Sequence, residues 1–145
     1  MSIAASSIAL AMSGCSVIIT TGIFTDVASS SGVQIVAAVT AHGSTLDSVT
    51  ARVTNTADRA VFIPRCGSGP LLLAQQFVSG NWIDAPNAAC PAESALDPIQ
   101  LEPGLTLVTV KVFTSPGRFR LVTTVAESED FSSGARSASN AFAVR

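Results

Sequence analysis

His42 is the one histidine of the chain, and Asp47 follows it five residues on. With one of the many serines they are the raw material of a Ser-His-Asp hydrolase. That chemistry needs its serine on a sharp strand-to-helix turn, and no G-x-S-x-G pattern occurs. His42, in "AHGST", reads instead as an exposed turn residue. "CGSGP" at 66–70 has two close glycines, but Pro70 and a β-like run follow where a phosphate site needs a helix start. Asp84, Glu93 and Asp97 offer carboxylates for calcium at a spacing that fits no known loop, so they read as solvated. Two cysteines and a distant histidine match no zinc ligand set. No catalytic residue, metal or cofactor is therefore expected, and the chain reads as a non-enzyme.

Binding chemistry is better represented. Arg118 and Arg120 project from one face of a strand and Phe119 and Leu121 from the other, because side chains alternate. Two guanidiniums on one face could grip an anionic ligand, or simply keep an exposed sheet face soluble. Trp82, the one tryptophan, follows the hairpin signal "SGN". It is either a core plug, the commoner place for a single large ring, or an exposed aromatic that recognises carbohydrate. The remaining basic residues are scattered and the net charge is −2, which excludes nucleic acid as a partner.

The elements that must position these residues are strands. Val49, Ala51 and Val53 alternate with Thr50, Arg52 and Thr54, and Val108, Val110 and Val112 with Thr109 and Lys111, the period of a half-buried strand. Turn signals fall between such runs at "NTAD", "SGN", "EPG" and "SPG". The pattern predicts strands over 33–41, 46–55, 60–65, 71–78, 82–85, 105–113, 118–126 and 137–144, with no helical periodicity. Seven to eight short strands in one domain over 33–145 argue for an antiparallel β-sandwich.

The N-terminus has a different character. No charged side chain precedes Asp26, and residues 3–12 have the length and apolarity of a signal-peptide core closed by Ser13 and Gly14. Met12-Ser13-Gly14-Cys15 resembles the bacterial lipobox, which implies lipidation of Cys15 and an export signal over 1–15. Ordinary cleavage after Ala9-Leu10-Ala11 and an uncleaved membrane anchor are the competing readings. Residues 16–32, ending in "DVASSSG", read as a linker. If lipid consumes Cys15, Cys66 and Cys90 remain as a pair in a compartment where disulfides persist. Two buried free thiols in a reduced protein are the alternative. A bridge closing about 25 residues would stabilise the fold by about 3 kcal/mol.

The stretches "VTNTADRAVFIPRCG", "LEPG", "PGRFRLV" and "SNAFAV" resemble bacterial immunoglobulin-like domains of cell-envelope lipoproteins and of the BsuPI-type proteinase-inhibitor fold. The resemblance spans about 33–145. It implies an immunoglobulin-like sandwich that serves as an exported, membrane-anchored binding or structural module, periplasmic or extracellular, with a protein or polysaccharide of the envelope as partner. It also implies an alternative, proteinase inhibition through the loop over 79–97. The chain departs from the pattern in two ways. It has no tyrosine, so Phe119 must act by burial where such domains often use a hydroxyl to tie down a corner. Cys66 and Cys90 are not placed like an inter-sheet pair; their bridge would staple a long connection to a sheet edge.

Overall fold

The computed structural model describes residues 32–44, 46–86, 90 and 95–145. The export signal, Cys15 and the linker up to residue 31 lie outside the described residues, as does Glu93. Among the described residues eleven strands follow one another: β1 (Val33–His42), β2 (Asp47–Asn55), β3 (Val61–Cys66), β4 (Gly69–Pro70), β5 (Leu73–Val78), β6 (Asn81–Asp84), β7 (Ala95–Leu101), β8 (Thr106–Phe113), β9 (Gly117–Val125), β10 (Ala135–Ala138) and β11 (Phe142–Val144). Among the described residues no helix is long and apolar enough to cross a membrane.

All pairing is antiparallel. One sheet has the order β1-β2-β8, a second β10-β9-β5-β6 with β11 also on β9, and a third β4-β3-β7. The third is fastened to the second by a single rung, in which Phe62 N donates to Ala126 O at 2.8 Å and Ala126 N to Phe62 O at 3.0 Å.

Alternation along the strands supplies the core between the sheets. Val33, Ile35 and Ala37 of β1 and Val49, Ala51 and Val53 of β2 point inward, and Ile63, Leu72, Leu121 and Val125 meet them from the other sheets. This is the β-sandwich-like arrangement that the period of two predicts. Phe119 is buried, with ring centroids 4.9 Å from Phe113 and 6.3 Å from Phe142, so it holds its corner by packing alone.

The strand count exceeds the seven to eight expected, for local reasons. No strand was predicted between 85 and 105, yet β7 forms there on β3. The ladder skips between Ile63 and Arg65, and opposite the skip stand Asp97 and Pro98, where no regular rung is required. The predicted strand over 137–144 is broken into β10 and β11, because Ser139 and Asn140 spend their side chains on backbone groups. Gly69–Pro70 adds a two-residue strand on the end of β3.

Cys66, at the end of β3, is disulfide-bonded to Cys90, with Cα atoms 5.7 Å apart. The bridge forms between the predicted pair, but it ties the segment that leaves β6 to the end of β3, the central strand of the β4-β3-β7 sheet, where a sheet edge was expected.

Candidate functional site

The two strands that carry the candidate binding residues are held in register by a tight turn. Ser79 and Gly80 adopt φ of 49° and 86°, the left-handed pair of a two-residue hairpin whose twist suits its strands. That turn sets Phe77 opposite Trp82 and Gln75 opposite Asp84. On the other side of β5, Gln75 stands opposite Arg120 of β9. Directly opposed residues share a face, so Gln75, Phe77, Trp82, Asp84, Arg118 and Arg120 rise from one side of the sheet. Phe119 and Leu121 go to the core beneath.

Trp82 is therefore not a core plug. Its ring is half-buried on the outer face of the sheet, 5.1 Å from the Phe77 ring and tilted 55° to it. The Arg120 guanidinium carbon lies 4.6 Å from the Trp82 ring centre, and that of Arg118 lies 5.1 Å from Phe77 and 5.8 Å from Trp82. Each cation–π contact is worth about 0.5–1 kcal/mol at such a partly exposed position. Strand register therefore builds the cluster, and the cation–π contacts hold the guanidiniums over the rings once they are there.

A polar chain runs alongside. Arg120 Nε donates to Gln75 Oε1 at 2.9 Å, and Gln75 Nε2 donates to Asp84 Oδ1 at 2.8 Å. Gln75 is itself buried, so its amide fixes the tilt of Arg120 from below. Arg136 of β10 reaches the same Asp84 oxygen at 4.0 Å. Among the described residues three arginines and one carboxylate thus mark this face, in a chain of net charge −2. The face is positive and its cations are pre-ordered.

Sequence reasoning found Arg118, Arg120 and Trp82, but not that they meet. Phe77, Gln75 and Arg136 were missed, and Asp84, read as a solvated carboxylate, instead accepts from Gln75 on this face. The two-residue spacing between Val78 and Asn81 is the signal that places Phe77 against Trp82.

The other candidates resolve differently. His42 and Asp47 are paired, Nδ1 to Oδ1 at 3.0 Å, across the ends of β1 and β2. Asp47 is buried, and its second oxygen accepts the backbone N–H of Arg145 at 2.9 Å. That backbone hydrogen bond, with help from His42, holds the carboxyl below its ordinary value of 3.8 against the opposing effect of burial. The pair clasps the β1–β2 hairpin to the chain just past β11, and among the described residues no serine hydroxyl bonds to His42. Among the described residues no three His, Cys, Asp or Glu side chains gather as a metal would require. Of the loop proposed for proteinase inhibition, residues 87–89 and 91–94 lie outside the described residues; its described part is the β5–β6 turn, β6, Ala85, Pro86, Cys90 and the start of β7.

No protein-family model matches the chain, and no curated protein is significantly similar to it.

Proposed function

We propose that the chain is an exported, lipid-anchored binding module of the bacterial cell envelope, with an immunoglobulin-like sandwich and no catalytic activity, and that its ligand is an anionic polysaccharide held by the Arg118–Arg120–Trp82 face. The stacking of both guanidiniums on the Phe77–Trp82 pair carries this reading. A stacked guanidinium offers its N–H groups in its own plane, where carboxylate or sulfate oxygens meet them in pairs. The same stacking argues against a neutral sugar platform, because a cation occupies the indole face that a sugar ring would need. Export is supported by the Cys66–Cys90 bridge, which persists outside a reducing cytoplasm.

Trp82 reports on its own site. Titration with polygalacturonate should change its emission, titration with dextran should not, and the response should weaken as salt rises above about 0.1 M. An Arg118→Ala/Arg120→Ala double variant that melts like the parent should lose the response. A parent that ignores the polyanion, or a double variant that still binds it, overturns the reading.

The Cys66–Cys90 anchor favours proteinase inhibition as a second reading, since it fixes one point of the segment over 79–97 as an inhibitory loop requires. Titration against serine and cysteine proteases tests it; full residual activity at micromolar inhibitor removes it.

A further inference from the structure

Strand β8 closes the β1-β2-β8 sheet on one side, and among the described residues its outer edge pairs with no strand. A flat edge of this kind invites another chain, and proteins usually blunt it. The opposite edge is blunted. Asn140 covers Ala37 of β1 with hydrogen bonds to both its N–H and its C=O, and Ser137 Oγ donates to Val33 O. Edge β8 instead presents Val108, Val110 and Val112 outward, 56, 59 and 57% exposed.

The inner side of the same strand is equally particular. Lys111 points between the sheets, opposite Val49 in the ladder, and lines an open cleft of about 570 Å³ with Gln76, Phe113, Phe119, Ala85 and the Cys66–Cys90 bridge. Strand β4 lies against β8 near Thr109, and the cleft opens along the stretch from Val110 to Phe113. Lys111 is half-buried there, and burial alone pulls its pKa down, because among the described residues no carboxylate reaches it.

We propose that β8 receives an extended peptide segment of another protein by strand addition, with apolar side chains covering the three valines and an acidic side chain entering the cleft to meet Lys111. Backbone pairing supplies affinity in such complexes and the alternate side chains supply selectivity. Charge complementarity selects the occupant. A second copy of this chain pairing about Val110 would set Val108 against Val112 on the outside but bring both Lys111 side chains onto one inner face as diagonal neighbours. Lys111 therefore rejects self-pairing and admits an acidic strand, one residue serving both ends of specificity.

The probe is a synthetic labelled peptide of about nine residues, with valine at alternate positions, threonine between them and one central glutamate. Fluorescence anisotropy should show binding, and a matched peptide with lysine at the centre should bind about tenfold more weakly. Lys111→Glu should reverse that preference, and Lys111→Met should abolish it; their melting curves confirm that both variants fold. Methylating the alternate peptide nitrogens that would face β8 should remove binding, because a methylated amide donates nothing to a ladder. The proposal is overturned if the glutamate peptide does not bind, if both peptides bind alike, or if methylation is without effect. It is equally overturned if sedimentation shows a dimer that Val110→Lys dissolves.

Discussion

Asn140 lies against Ala37 as a neighbouring strand would, its Oδ1 accepting from Ala37 N at 2.9 Å and its Nδ2 donating to Ala37 O at 2.8 Å. One side chain thereby completes the ladder of β1 where β10 and β11 separate. Asn140→Ala leaves both backbone groups of the buried Ala37 without their partner, and should cost about 2 kcal/mol in urea unfolding. Asn140→Asp keeps the acceptor but loses the donor and should also destabilise. A variant that unfolds at the parental midpoint would show that water replaces the amide.

Asn55 does comparable work at the end of β2. Its buried side chain donates to Arg59 O and Leu101 O, both at 2.8 Å, and accepts from Ala57 N at 2.9 Å. Asn55→Ala should cost about 3 kcal/mol, since three backbone groups lose their partner at once. Asn55→Asp should cost more, because a carboxylate would face two carbonyl oxygens in a buried place. Equilibrium unfolding of the two variants side by side checks the order.

The Cys66–Cys90 bridge spans a sequence separation of 24. Reducing it, or replacing both cysteines with serine, should cost about 3 kcal/mol by freeing that loop in the unfolded chain. Thermal melts with and without reductant, compared with the double variant, measure this. The double variant should melt alike in both conditions.

Acid sensitivity should come from Asp47. Its folded pKa lies below 3.8, so the stability it contributes is complete above that value and is lost as pH falls through the lowered one. Asp130, held down to about 2 by hydrogen bonds from Ser128 and Ser132, acts in the same direction. Asp47→Asn should therefore be less stable than the parent near about pH 7, with the gap closing toward about pH 2. Urea midpoints measured across that range should converge; parallel curves would contradict the role given to the carboxylate.

Much of the fold was legible wherever one face of a strand is buried and the other wet. The predicted spans 33–41, 46–55, 105–113 and 118–126 meet β1, β2, β8 and β9 within a residue or so, because Val49, Ala51 and Val53 cannot change faces without emptying the core. Strand β7 shows no clean alternation of its own, and Pro98 is tolerated in it only because it stands opposite a skipped rung, a place that depends on the partner strand. The split at Ser139 and Asn140 was hidden because it rests on side chains reaching Leu121 and Ala37, contacts distant in the chain. The arginine pair could be read from alternation alone. Its meeting with Trp82 could not, since that follows from the register of β9 on β5 and of β5 on β6.

The rung between Phe62 and Ala126 makes β3 dependent on β9 although the two strands share no further ladder among the described residues. The Phe62 amide proton can meet solvent only when β9 lets it go, and β9 lies at the centre of its own sheet between β10 and β5. Deuterium uptake at that one position will therefore track the opening of the whole molecule rather than the fraying of an edge, and the layers should come apart in a single concerted event.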